Sequence, residues 1–178
     1  QIGGPEGFYL GQLYWRTDTS LKLARNLSLY TTIGLNIYDT FDLNNPSQSS
    51  IPHVRSDIQD YLTEGKNSIT RMQVEYMFSP LKDLFVRADL GLLEEMFGGV
   101  GGQILYRPIE RKVALGFSLH RVRQRDYDQM FSFRDYETTT GHIELYAELP
   151  NSIHMQTYFG KYLAGDKGIT LDFSRRYN

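Results

Sequence analysis

The sequence predicts an all-β fold, with antiparallel strands rolled into a β-barrel of the outer-membrane type that forms a section of a larger barrel. Three observations predict it. Apolar and polar residues alternate with period two through most of the 178 residues, as in a strand whose two faces meet unlike environments. Many candidate strands run about 9–12 residues, close to the roughly 9–11 of a tilted bilayer-crossing strand and longer than the about 5–6 of soluble sheets. The connections are unequal, with short turns near 79, 109, 150 and 166 and long links at 39–68 and 121–136. Outer-membrane barrels divide short turns and long loops between their two rims in this way.

Composition narrows the alternatives. With 19 Lys+Arg against 21 Asp+Glu, the net charge of −2 offers no long-range attraction for nucleic acid. The absence of cysteine excludes disulfides, thiolate chemistry and cysteine-ligated metals. No apolar run approaches the length of a membrane-crossing helix, a test that barrel strands escape because they alternate. Tyr 13, Phe 10, Trp 1 and Gly 16 suit soluble sheets and membrane barrels alike. The opening QIGGPEGFYL shows no targeting segment.

The first candidate strands are Phe8 to Arg16 and Ser20 to Ala24. In Leu27 to Tyr38, Leu27, Leu29, Thr31, Ile33, Leu35 and Ile37 share one face. Residues 40–67 break the rhythm: FDLNNPSQSSIPH is turn-forming, and Ser56 to Thr63 carries a helical spacing of Ile58, Tyr61 and Leu62 ahead of a capping Gly65. So long a connection suggests a plug, a lid or a binding loop. Further strands are predicted at Ile69 to Phe78, Leu84 to Leu92, 98–107, Val113 to Val122, Tyr136 to Leu149, Ile153 to Leu163 and Ile169 to Tyr177. The total is nine or ten, with tight turns at Ser79-Pro80, Pro108 to Arg111, Pro150-Asn151 and 165–168. No linker or repeat divides residues 1–178, which read as a single segment with a long loop or short helix at 40–67.

Several apolar faces end in aromatics (Tyr76 and Phe78, Tyr106, Phe159), as an interfacial girdle would. The opposite faces carry Arg71, Gln73, Glu75, Arg87, Asp89, His142, Glu144 and Glu148. In a barrel Arg71, Glu75, Arg87, Asp89, His142, Glu144 and Glu148 face the lumen.

The densest polar stretch is the candidate ligand site. Arg121, Arg123, Arg125, Asp126, Asp128, Arg134 and Asp135 are interleaved with Tyr127, Phe131, Phe133 and Tyr136. Arginine forks bind carboxylates bidentately, and aromatic rings stack on sugars, so this composition suits an acidic polysaccharide. A self-paired loop is the competing reading. The neighbouring acids also argue against nucleic acid. Asp126 and Asp128 are spaced for glycosidic cleavage, but nearby arginines lower both carboxyls where a general acid needs one raised. The four histidines lack ligand spacing, and the glycines after Glu94-Glu95 lack the Lys-Ser/Thr of a nucleotide loop. No catalytic residues, cofactor or metal are assigned, and enzymatic activity is not expected.

Six runs in order, GPEGFYLGQLYWR, IPHVRSDIQDYL, GLLEEMFGGVGGQILYRP, VRQRDYDQMFSFRDYE, TGHIELYAELP and KYLAGDKGITLDFSRRY, span nearly the whole chain. Together they resemble the YjbH-type exopolysaccharide biosynthesis family, described as outer-membrane lipoproteins of capsule and exopolysaccharide operons. The resemblance implies a barrel in the outer membrane of a Gram-negative bacterium. Its implied partners are exopolysaccharide or capsular polysaccharide, outer-membrane lipid and other proteins of the same export operon. It supplies no catalytic residues. Family members run to several hundred residues with a signal sequence and often a lipidation cysteine, so these 178 residues are expected to be one section. The expected function is guiding or gating polymer through a polar lumen. The alternatives are a soluble or periplasm-facing β-rich polysaccharide-binding module, and a barrel-based carbohydrate-modifying enzyme.

Overall fold

The computed structural model describes residues 12–39 and 57–175. They form one nine-stranded, wholly antiparallel sheet in sequence order. Its strands are β1 (Gln12–Ala24), β2 (Leu27–Asp39), β3 (Asn67–Leu81), β4 (Leu84–Leu92), β5 (Phe97–Tyr106), β6 (Val113–Arg125), β7 (Phe133–Leu149), β8 (Ile153–Lys161) and β9 (Lys167–Arg175). Among the described residues one α-helix, α1 (Ile58–Glu64), precedes β3 and ends at Gly65 as its spacing predicts.

The predicted barrel is corrected by this topology. Each strand pairs with its sequence neighbours, and no pairing joins β9 to β1 among the described residues. The sheet is open, so it encloses no lumen, and the expected transmembrane wall and gated passage lose their structural basis. Alternation along a strand reports only that its two faces differ; closure depends on how twist and stagger accumulate over all strands. No helix among the described residues is long and apolar enough to cross a membrane.

The division between the two faces follows the alternation. Asp89 is 4% exposed and its neighbour Leu90 60%; Glu144 is 3% exposed and Ile143 59%. A flat, uncovered sheet would expose both sides alike. Burial of the polar side therefore means that the sheet curls toward it. Of the residues assigned to a lumen, Glu75, Asp89 and Glu144 are buried on this inner face and Arg71, Arg87 and His142 are half-buried there, while Glu148 is exposed toward its end. They line the concave side of an open sheet rather than a lumen. Leu90, Val100, Phe117, Leu119, Ile143 and Phe173 stand exposed on the outer face, an apolar surface of the kind that marks an interaction site.

Several boundaries differ from the predicted ones for local reasons. β1 runs unbroken through Thr17–Thr19, because Asp18 is held by Arg16 at 3.0 Å and by the Thr32 hydroxyl at 2.7 Å across β2. The predicted segment Phe8 to Gly11 lies outside the described residues, as does loop 40–56. Pro80 sits inside β3 at a register shift, where a missing N–H is tolerated, and the turn falls three residues later, at 82–83, with Asp83 at φ 62°. β6 and β7 extend well into the predicted link 121–136, leaving residues 126–132 as the connection.

The β2–β3, β4–β5, β6–β7 and β8–β9 connections gather at one end of the sheet, where α1 lies against the inner face. Tyr61, Met96, Phe97 and Val122 form a small apolar cluster there, flanked by Leu93, Tyr127, Tyr136 and Leu163. The opposite end carries the short turns, among them 107–112 between β5 and β6.

Candidate functional site

The residues of the predicted site resolve into two groups. Arg121 and Arg123 occupy exposed positions on β6, facing β7. Arg121 Nη2 lies 2.5 Å from Glu137, Arg123 3.7 Å from Asp135, and Arg134 3.4 Å from Asp126. The stretch lacks the apolar content that identifies a strand and so read as a loop, yet diagonal pairs of opposite charge between β6 and β7 support the ladder. The Arg123 Nε also donates to the Arg134 carbonyl at 2.5 Å.

The second group builds the end cap. Arg125 is fully buried, and its guanidinium donates to carbonyls of Glu94 at 2.8 Å, Ile69 at 2.8 Å, Met130 at 3.0 Å and Gln129, with longer contacts to Glu95 and Thr70. It ties three chain segments together. Burial pulls its pKa down to about 10. The Asp126 carboxylate accepts the Tyr127 N–H and Asp128 accepts the Met130 N–H, both at 3.0 Å, as turn-forming aspartates do. Tyr127 donates to Asp57 at 3.1 Å, stands edge-on to Tyr61, and lies under the Arg134 guanidinium at 4.2 Å. Burial, with Asp57 beside it, pushes its hydroxyl up to about 12. Tyr136 donates to the Leu163 carbonyl at 2.5 Å.

The inner face holds a connected polar network between these ends. Glu75 and Asp89 stand opposite one another on β3 and β4, a like-charge pair that needs compensation. Arg87 supplies it, 3.9 Å from Glu75 and 3.6 Å from Asp89. His120 reaches Asp89 from β6 at 3.2 Å by leaning across β5 at Gly101, where a Cβ would overlap the imidazole. Burial alone would raise the Asp89 carboxyl; His120 and Arg87 hold it below its ordinary value. Further along, the Glu144 carboxylate accepts from Gln103 and, at 2.7 Å, from the Tyr146 hydroxyl, passing over Gly116. Burial and that carboxylate raise the Tyr146 pKa above the ordinary phenol value. The His142 ring sits edge-on to Tyr162 at 4.7 Å.

At the short-turn end the inner face opens into a cleft of about 810 Å³. Phe85 and Tyr146 contribute aromatic walls, His154 and Gln156 polar groups, and the 107–112 turn overhangs it with Arg107, Arg111 and Lys112. Gln156 is fixed by the Tyr158 hydroxyl at 2.8 Å, and Tyr158 meets Tyr146 edge-on. Sequence reasoning missed this site, because its residues come from six strands, β4 to β9, and a segment that read only as a turn; the basic residues flanking Pro108 were the available signal. No group of three or more His, Asp or Glu side chains is placed to hold a metal among the described residues.

Comparison with known proteins places the chain. The model of the YjbH family, described as "Exopolysaccharide biosynthesis protein YbjH", matches residues 1–178. The chain belongs to the YjbH family. It is 34% identical to a protein of Escherichia coli (strain K12) described as "Uncharacterized lipoprotein YjbH" over 190 residues, covering 99% of this chain and 26% of that relative. The chain thus spans about a quarter of the length of the curated relative it matches. No solved structure matches it.

Proposed function

We propose that this part of the YjbH-family protein is a β-rich polysaccharide-binding module that faces the periplasm of a Gram-negative envelope, at the outer membrane. The cleft carries the reading: about 810 Å³ is in the range that encloses a short oligosaccharide, and aromatic walls beside fixed hydrogen-bonding groups are what sugar rings require. The family's description as exopolysaccharide biosynthesis proteins and the lipoprotein relative support the polymer and the envelope setting. The exposed apolar outer face supports association with other envelope components of the same export system. Binding and positioning of polymer need no cofactor and no catalytic group.

The contact is assigned to the cleft rather than to the arginine ladder of β6 and β7, whose charges are already matched by carboxylates. Calorimetric titration of the chain with exopolysaccharide fragments tests the proposal. Saturable binding is expected, weakened about tenfold by Tyr146→Ala, equivalent to about 1.4 kcal/mol. Binding unaffected by that change would move the site elsewhere, and absence of binding to any fragment would end the proposal.

A further inference from the structure

We infer that the cleft selects acidic glycans, reading a carboxylate or phosphate oxyanion on the sugar through Arg107, Arg111 and Lys112; this rests on the polysaccharide-binding reading above. The first observation is a contrast among the cations. Arg16, Arg87, Arg121, Arg123 and Arg134 each have a carboxylate partner, Arg71 is held by Gln73, and Arg125 is spent on carbonyls. Arg107, Arg111 and Lys112 have no side-chain partner among the described residues, and all three line the same cleft. Arg25, Lys22, Lys82, Lys161 and Lys167 also lack a side-chain partner among the described residues, but none of them lines this cleft.

The second observation is that the turn presenting them is held in place. The Arg107 N–H donates to the Asp83 carbonyl at 2.8 Å, the Arg111 N–H to Pro108 at 3.1 Å, and the Glu148 N–H to Lys112 at 2.8 Å. Pro108 fixes its own φ. Little backbone ordering remains to oppose binding, so the cost is confined to the three side chains. Two arginine forks and one ammonium over an aromatic wall match an oxyanion attached to a sugar ring, the forks bidentately and the lysine as a point charge.

Glu110 and Glu148 also line the cleft without forming ion pairs with these cations. They leave the cleft with a small positive excess in a chain whose net charge is −2. Attraction is therefore short-ranged and screened by salt, and the carboxylates restrict where along the cleft an acidic group can settle.

Titrations of the full chain with hexagalacturonate, a phosphorylated mannan fragment and neutral maltohexaose test the inference. At least one acidic glycan is expected to bind about tenfold or more tightly than maltohexaose, with the preference shrinking between about 50 mM and about 500 mM salt. The double variant Arg107→Gln/Arg111→Gln should bring the ratio of acidic to neutral affinity to about one, and an unchanged circular dichroism spectrum and melting temperature show that the variant is folded. Which acidic arm responds separates a carboxylate from a phosphate. Equal binding of acidic and neutral glycans, or a variant that weakens both alike, would overturn the inference while leaving polysaccharide binding in place. Binding of none of the three would overturn both.

Discussion

Arg125 offers the sharpest structural prediction. Its guanidinium is a buried cation with no ion pair among the described residues; its two terminal nitrogens donate to carbonyls from the start of β3, the β4–β5 turn and the β6–β7 connection, while Nε has no partner. Four of those bonds are close, and a hydrogen bond to a charged group contributes about 1.5 kcal/mol at the lower end, giving about 6 kcal/mol. Desolvation opposes this: a pKa drawn from 12.5 to about 10 corresponds to about 3 kcal/mol. Arg125→Met removes the net gain and leaves the same carbonyls without donors, so a loss of about 3–5 kcal/mol is expected. Urea denaturation measures the total, and hydrogen exchange locates it, with protection falling first at 93–96 and 126–132. Arg125→Lys should recover only part, since three donors on one nitrogen cannot span three segments. A loss below about 1 kcal/mol with exchange unchanged in both connections would refute the claim that the guanidinium organises this end.

Other consequences follow from the inner-face network. The Asp89 carboxyl is held below its ordinary value, so its contribution is present above about pH 4 and lost as pH falls through the lowered value. Replacing its partner in His120→Ala should move acid unfolding to higher pH, read by circular dichroism; an unmoved transition would remove the pair's role. Gly101→Val places side-chain atoms where the His120 imidazole lies and should cost about 1–3 kcal/mol, checked by thermal melting beside Gly168→Ala, where a Cβ meets only ordinary contacts. In Glu144→Gln the Tyr146 hydroxyl loses its charged acceptor, so its ionisation should shift down toward the ordinary phenol value in an ultraviolet absorbance titration. Glu144→Ala strands the donors of Gln103 and Tyr146 as well, and should lower stability by about 2–4 kcal/mol in urea.

Facing was legible in the residues because it is a local property. The alternation across Arg87, Ala88, Asp89 and Leu90 assigns each side chain to a side, and the structure keeps those sides. Closure was not legible, because each strand satisfies its hydrogen bonds with its neighbours whether or not the first meets the last. The helix near 56–63 was found from three spaced apolar residues and a capping glycine. The extension of β6 and β7 was missed because cross-strand pairs such as Arg121–Glu137 replace the apolar content that identifies a strand. Arg125 shows the same limit more sharply: in RVRQRDYDQ nothing distinguishes the arginine that is buried from the two that are exposed.

Density of charge in the sequence and availability of charge in the fold turn out to be different quantities. The run from Arg121 to Glu137 is the most charged stretch of the chain, yet its geometry consumes that charge internally: three arginines meet carboxylates and a fourth meets backbone. A ligand oxyanion arriving there would have to displace an existing partner, which removes most of the gain from a new pair at an exposed site. Among the described residues, Arg107, Arg111 and Lys112 have no such partner to lose. They also line a concave surface with aromatic walls, and because all three are exposed their attraction for an oxyanion is short-ranged and screened by salt. Recognition is therefore expected where cations remain uncommitted beside a cavity, even though fewer of them are present.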